Sequence, residues 1–473
     1  MCRAIRQDGK YMCVRNWPVR KVMSRHYGRI WTFILMLAAA TPGMAQQQTL
    51  TLRQAIARAL GQNPQTAVAR ADEKAADAQA GMARTALLPQ LQFTEDLSRG
   101  NDPVYVFGTK LRQQRFTQGD FSLNALNRPT PTGDFVTRFK GSWRLFDGLA
   151  TERTISSAKL AAKSAVSMSS AVQQAVVLRV VQAYEGVLFA QREVEIANHE
   201  VVTAQALLRD AQSHVKAGLA VDSDSLAAQV NLSAREQDQI AAQGRLQTAW
   251  AELETAMGST TTTRGVLEPM KAQSYPDGML ASDIAAALKA RPDLKALRQQ
   301  MAAQRKAVQA ARGSFLPEID AYGNWETDRT TFAGSGGNNW VAGVQLNLDL
   351  LPLGKRAKLR QEQAAQEKID AQERSQELQI RMAVERAYTG HQTAERMVAT
   401  ARAAMEQSAE ALRILRNRYN AGLTTMTDLL RAEDAQRASQ NNYWRAAWGN
   451  TVAYAELMYA TGRLTPDSAE KLQ

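Results

Sequence analysis

The sequence predicts a mainly α-helical chain with a membrane β-barrel portion: long coiled-coil hairpins, and four β-strands per chain that belong to a barrel shared between copies. Three observations predict it. The chain repeats itself at about half its length. Two stretches of about 65 residues contain no proline. Four short segments alternate apolar and polar side chains.

Residues 1–45 stand apart from this plan. "RHYGRIWTFILMLAAATPGMA" has a basic start, an apolar run from Ile30 to Ala40, and small residues Gly43 and Ala45 before Gln46. That is the pattern of a secretory signal peptide cut after Ala45. The run is too short to remain as a membrane-spanning helix. The signal reads naturally from Met23, which leaves 1–22 as an upstream extension. Both cysteines, Cys2 and Cys13, fall in this region, so a disulfide, a thiolate metal site or an N-terminal lipid anchor is not expected in the exported chain. Residues 1–45 hold eight Lys or Arg and one acid, so +7 of the formal +12 lies there and +5 remains. A modest positive charge spread along helices is an ordinary solvated face, and an exported chain meets no nucleic acid.

The repeat defines the organisation. At an offset of 204, Tyr184 matches Tyr388, "AGL" at 217–219 matches "AGL" at 421–423, "AEL" at 251–253 matches "AEL" at 455–457, and Gly258 matches Gly462. Upstream the offset is 228: Ile56 matches Ile284, Pro64 matches Pro292, and Leu88-Pro89 matches Leu316-Pro317. The surplus falls in a Gly-, Pro- and Asn-rich stretch at 99–134, read as a longer loop in the first copy. The domains expected are 46–260 (repeat 1), 261–281 (linker), 282–465 (repeat 2) and 466–473 (tail). Each repeat runs short helix, proline, longer helix, Leu-Pro, strand, loop, strand, very long helix, AGL turn, long helix.

In the first long helix Val187, Val194, Val201, Leu208 and Val215 recur every seven residues. Tyr184, Gln191, Asn198, Gln205 and Gln212 fill the interleaved positions, which reads as one apolar and one mostly polar seam. A helix of about 65 residues is roughly 100 Å long and must lie along partners. Glycine at each AGL turn suits a left-handed helix end, so each long helix doubles back into a hairpin. Asp224 and Asp428 then sit in the first turn of the returning helices, where the helix dipole favours them.

The strands are expected at about 90–98, 135–146, 318–328 and 340–350. In 340–350, Trp340, Val344, Leu346 and Leu348 share one face, and Gln345, Asn347 and Asp349 the other. In 135–146, Phe135, Phe139 and Trp143 oppose Arg138, Lys140 and Arg144. Segments of about ten residues with apolar side chains outward and polar ones inward suit a transmembrane barrel. A small soluble sandwich is the plainer alternative, but nothing in the helices is patterned to cover the apolar face. Four strands cannot close, and an open edge does not persist in lipid. Two copies give eight strands with a filled interior; three give twelve and leave a passage.

The duplicated tips "VKAGLAVDSDSL" and "YNAGLTTMTDLL", the paired Leu-Pro steps and the "LFDG" turn at 145–148 resemble the TolC-like outer-membrane efflux proteins. The resemblance covers about 46–465. It implies a homotrimer with a twelve-stranded outer-membrane barrel and a periplasmic α-barrel. It also implies a periplasmic adaptor (membrane fusion protein) and an inner-membrane pump of RND, ABC or MFS type. It implies that Ala217, Gly218, Leu219, Ala421, Gly422 and Leu423 dock the adaptor, with Ala where the family has Val. It further implies an aperture ringed by acids after the second tip. Asp428 matches the first, and Asp224 takes the corresponding place in repeat 1. Arg431 stands where a second acid is expected, so a mixed Asp/Arg constriction is the expectation here.

The bland readings of these residues are helix capping for the AGL turns, first-turn stabilisation for the two aspartates, and packing for Tyr184 and Tyr388. Arg138, Lys140 and Arg144 either bias a lumen towards anions or are merely wet. His199, His214 and His391 share no spacing with carboxylates, and no metalloprotease, P-loop or nucleophile-elbow motif is present. Neither an enzyme nor a cofactor is expected. The reading is therefore a passive outer-membrane exit duct of a Gram-negative cell. The alternatives are a periplasmic adaptor or a coiled-coil scaffold without a pore. Cargo and pump class are not legible.

Overall fold

The computed structural model of the chain describes residues 49–259, 264–270 and 280–470. The expected signal peptide, Cys2 and Cys13, much of the 261–281 linker and the last three residues of the tail lie outside the described residues.

Repeat 1 begins with α1 (Leu52–Gln62), whose N-terminus is closed by a capping box between Thr51 and Gln54. Asn63 ends α1 and caps α2 (Pro64–Thr85), with Pro64 in the first turn. Then come β1 (Gln90–Gly100), α3 (Pro103–Arg112), α4 (Leu123–Asn127), β2 (Thr132–Phe146), α5 (Ala150–Lys216) and α6 (Asp222–Met257). Repeat 2 runs α7 (Leu280–Ala290), α8 (Pro292–Gly313), β3 (Glu318–Arg329), β4 (Gly336–Asn347), α9 (Leu353–Asn420) and α10 (Met426–Ala460), followed by the short α11 (Pro466–Glu470).

Helices α5 and α9 have 67 and 68 residues, each about 100 Å long. α5 packs along α6, and α9 along α10. On α5 the second seam differs from the expected polar one. Ala190, Ala197, Ala204 and Ala211 recur every seven residues, and all are buried. Alanine lets the helix backbones approach closely, and the polar interleaved residues are displaced to the flanks. Nearer the sheet, Ser157 and Ser164 hydroxyls donate to the Ala303 and Ala296 carbonyls at 2.8 and 2.7 Å, holding α5 against α8.

The largest core lies where α1, α5 and α6 converge, around Leu52, Ile56, Val177, Val181, Trp250 and Leu253. α5 is long and apolar enough by composition to cross a membrane, yet Val176, Val177, Val180, Val181 and Val187 are buried in this core. Tyr184 is fully buried there; its hydroxyl donates to the Leu50 carbonyl at 2.7 Å and lies 3.0 Å from the Glu268 N–H, which donates to it. The packing role expected of this tyrosine is thus joined by a polar one that ties two chain segments. The repeat reappears in three dimensions. Gly258 closes α6 against Asn63 of α1, and Gly462 closes α10 against Arg291 at the α7–α8 junction.

The four strands form one antiparallel sheet in the order β1-β2-β3-β4. β1 and β4 are its free edges. The expected fourth strand reached Leu350; β4 ends at Asn347, whose partner is Glu318. The residue before Glu318 is Pro317, which has no N–H to extend the ladder. Leu348 and Asp349 therefore lie beyond the strand and take no place on its faces, and Asp349 instead pairs with Lys355 at 2.7 Å.

The 99–134 stretch is not a plain loop. Asp102 caps α3 by accepting from the Tyr105 N–H at 2.9 Å, with Pro103 in the first turn. Phe107, Phe116 and Phe121 then pack edge to face, Phe107–Phe116 at 4.8 Å and Phe116–Phe121 at 5.1 Å between centroids.

Candidate functional site: a two-faced sheet and two hairpin tips

Strand register sorts the sheet into two faces. One carries Leu91, Phe93, Phe139, Trp143, Ala321, Trp325, Trp340, Val344 and Leu346. Phe93, Phe139, Trp325 and Trp340 lie in one cross-strand row, one from each strand. Phe93–Phe139 and Phe139–Trp325 centroids are 5.2 and 5.8 Å apart. Trp340 is 77% exposed and Val344 68%, so this chain leaves the apolar face uncovered. Phe135 lies on the same face, half-buried, beside Arg329 and Leu97. Beyond the aromatic row the face turns polar, where Arg329 pairs with Glu95 at 3.0 Å and both bond Thr137. Phe93 and Trp325 were missed from the sequence, because the first and third strands alternate weakly.

The opposite face carries Arg138, Lys140 and Arg144, as expected, together with Gln345 and Asn347, which bond each other at 2.8 Å. It also carries acids the sequence reading did not single out. Arg138 donates to Glu326 at 2.9 Å, and Arg144 to Asp320 at 3.1 Å with Glu318 at 3.7 Å. With Asp96, Asp134 and Asp328, six acids share this face with three bases. An anion-favouring surface is therefore not what the three basic residues make: two are neutralised by β3, and only Lys140 stands without an ion pair among the described residues.

At the far end of the helices each AGL turn is a Schellman cap. Leu219 N–H donates to His214 O and Gly218 N–H to Val215 O, at 2.8 and 3.0 Å; Leu423 and Gly422 repeat this with Arg418 O and Tyr419 O, at 2.8 and 2.9 Å. Gly218 and Gly422 have φ of +71° and +73°, a left-handed conformation that L side chains resist. The leucine after the glycine often packs back on its own helix in such a cap. Here Leu219 and Leu423 are 77% and 67% exposed. Ala217 and Ala421 are exposed beside them.

Thr425 caps α10, its hydroxyl accepting from the Asp428 N–H at 3.2 Å, and the Asp428 carboxylate in the first turn accepts from the Thr425 and Thr424 hydroxyls at 2.7 and 3.2 Å. These bonds, the Thr425 hydroxyl first, hold its carboxyl below the usual range, and Arg431 adds a smaller pull. Arg431 itself is exposed, and Asp224 is half-buried in the first turn of α6. Above the tips the two hairpins are joined by a closed ion quartet. Arg235 of α6 meets Asp434 of α10 at 3.1 Å, Arg437 meets Asp238 at 2.7 Å, and each arginine also meets the aspartate three residues along its own helix at 3.3 Å. Arg235, Asp434 and Arg437 of the quartet line a cavity of about 430 Å³ between the hairpins. Glu200 lies at its edge, and burial pushes its carboxyl up to about 7 despite Arg437 and Arg235. His391 is buried with its ring against Tyr454 at 5.6 Å between centroids. No cluster of three metal-ligating side chains occurs among the described residues.

A model described as outer membrane efflux protein matches residues 55–259 and 284–463, the two repeats in turn. The chain belongs to the outer membrane efflux protein family. Its relatives include Protein CyaE of Bordetella pertussis, 30% identical over 340 residues, covering 68% of this chain and 69% of that protein. They also include the alkaline protease secretion protein AprF of Pseudomonas aeruginosa, 24% identical over 422 residues and covering 86% and 83%. Among solved structures, the CmeC outer membrane channel of Campylobacter jejuni superposes with a TM-score of 0.75 at 16% identity, covering 87% and 85% of the two chains. The open-state MtrE channel of Neisseria gonorrhoeae gives 0.72 at 18%, covering 88% and 90%. This member is an outer-membrane channel with a large periplasmic part, and the expectations of family, fold and location hold. Family members work with an adaptor and an inner-membrane pump.

Proposed function

We propose that three copies of this chain close one twelve-stranded barrel, with the Phe139–Trp325 face against lipid and the Arg138–Glu326 face lining the lumen. The observation that carries this is the sheet itself. Four strands have two bare edges, β1 and β4, and an uncovered apolar face, which only a ring of copies within lipid satisfies together. The row Phe93–Phe139–Trp325–Trp340 then forms an aromatic girdle at one membrane interface.

The exposed tips, Ala217-Gly218-Leu219 and Ala421-Gly422-Leu423, dock a periplasmic adaptor, and an inner-membrane pump supplies the energy. Asp224, Asp428 and Arg431 border the periplasmic aperture. Opening is a splaying of the two hairpins against each other, resisted by the Arg235–Asp434 and Arg437–Asp238 pairs. Cargo is what the pump delivers. AprF is named for secretion of a protease and OpmQ of Pseudomonas putida for export of pyoverdine, so a duct of this kind is compatible with cargo as different as a protease and pyoverdine. Bismaleimide crosslinking of Leu423→Cys to candidate adaptors in a C2S/C13S background tests the docking. Adducts formed by Leu423→Cys and absent from a mid-helix control support it; equal labelling of both sites sinks it.

A further inference from the structure

We infer that α3 and the segment after it form a plug inside the outer mouth of the barrel, so that this channel is shut at its outer end. The inference rests on the trimeric barrel proposed above.

The first observation is which face of the sheet α3 lies on. The side chains it meets on the sheet, Ser98, Asp134 and Asn339, all lie on the charged, lumen face, and its other contacts there are to strand backbone. Tyr105 hydroxyl is hydrogen-bonded to Ser98 of β1 at 3.0 Å. Gln113, just past its C-terminus, donates to Asp134 Oδ1 of β2 at 2.8 Å and to the carbonyls of Gly133 and Arg329 at 3.0 and 3.2 Å. Asn339 of β4 donates to the Arg112 carbonyl at 3.3 Å. At Gly337 of β4 a Cβ would stand 1.9 Å from that carbonyl, so the helix end rests directly on the strand. The helix thus crosses the sheet from β1 to β4. Ten residues at 1.5 Å make about 15 Å, and four strands spaced about 4.8 Å apart are about 14 Å across. The element folds inward across the whole luminal wall of its own protomer.

The second observation is the face α3 turns away from the wall. Val106, Thr109 and Gln113 are buried, whereas Val104 and Leu111 are 81% and 48% exposed, and Phe121 and Leu123 that follow are 64% and 78% exposed. Large apolar side chains aimed at a water-filled bore need cover.

Barrel geometry supplies it. Twelve strands about 4.8 Å apart and tilted by about 40° enclose a radius of roughly 12 Å. A helix packed on that wall has its axis about 8–10 Å inside it and is about 10 Å across. With axes flat on the wall they would lie about 2–4 Å from the threefold axis, nearer one another than the 8–10 Å at which helices pack, so the three helices fit only tilted outward towards the rim, and they leave no open passage. The occupants of the apolar face of α3 are the other two copies of the same segment. Passage of cargo then requires the Gln113 and Asn339 tethers to release and the segment to swing outward.

Cysteine accessibility tests this on intact cells in a C2S/C13S background. Ser142→Cys lies on the luminal face of β2, on the periplasmic side of α3. The plug predicts that a bulky polyethylene-glycol maleimide added outside labels it at least about tenfold more slowly than in a variant with residues 103–131 replaced by a short Gly-Ser turn, as for a mouth open under a tenth of the time. Equal rates overturn the plug. Val104→Cys in the otherwise intact chain gives a second reading that does not depend on the excision variant assembling. A short bismaleimide should join copies into dimers, and failure to do so overturns the proposal. The same samples are run unheated. A heat-dissociable trimer with equal labelling sinks the plug alone, whereas a monomer sinks the channel geometry beneath it.

Discussion

Arg437 on α10 holds Asp238 on α6 at 2.7 Å, an ion pair that crosses from the second hairpin to the first. Arg235–Asp434 is another, at 3.1 Å. Together they are the polar fastening between coiled coils whose tips are otherwise joined by a small apolar cluster of Leu207, Ala211, Ala228, Tyr419, Met426 and Leu429.

Removing Arg437 leaves Asp238 and Asp434 sharing Arg235 alone and loses one partly exposed cross-hairpin pair, worth up to about 1 kcal/mol. Arg437→Ala should therefore speed amide hydrogen exchange in the tip segments 207–228 and 419–430 by up to about fivefold. The core segment 176–187 should be unchanged. Unaltered exchange at the tips would show that the quartet does not fasten the hairpins.

Glu185 is buried beside Phe189 and Trp448, and burial alone pushes its carboxyl up to about 7 from 4.5. The folded chain keeps a proton that the unfolded chain releases above its ordinary range, so stability falls as pH rises from about 4.5 through 7. A shift of this size corresponds to a penalty of about 3 kcal/mol per chain above pH 7, as an upper figure. Glu185→Gln should be more resistant to guanidinium than the parent at pH 8 and about equal to it at pH 5. Parallel pH profiles for the two would refute the assignment.

Val344 and Gln345 are neighbours on β4 that face opposite ways. Val344→Lys places a charge in the apolar band, at about 2–4 kcal/mol near the bilayer midplane, and should lower the yield of heat-resistant trimer. Gln345→Lys should leave it unchanged. The reverse pattern would exchange the two faces.

Gly422 sits at φ +73° with open space where a Cβ would be. Gly422→Val strains the cap without striking any neighbour in its own chain, by about 1–2 kcal/mol. Trimer yield should hold while transport with the cognate pump falls. Normal transport would remove the tip from the docking surface.

Much of this architecture was legible because its patterns are long. A proline-free run of about 65 residues leaves little but helix, and a repeat at offset 204 places both tips from either one. The misses have local causes. Alternation in β3 is diluted by Gly323, Asn324 and Thr327, which hid Trp325 on one face and Glu326, Asp320 and Glu318 on the other. Hence three basic residues looked unbalanced when two are paired. β4 looked longer because Leu348 and Leu350 continue its alternation, yet Pro317 ends the partner ladder. The helix α3 was hidden in a Gly- and Pro-rich stretch, although Asp102-Pro103 is a legible helix start. The alanine seam at 190, 197, 204 and 211 was obscured because the eye follows the bulkier valines.

The account depends above all on three sheets joining β1 to β4 into one wall. The measurement that tests it most directly is the protein mass of the folded, detergent-solubilised particle by light scattering, with the surfactant's share subtracted. Three chains per particle, collapsing to one on boiling, is the predicted result. A single chain that stays folded and dispersed once detergent is withdrawn would contradict it.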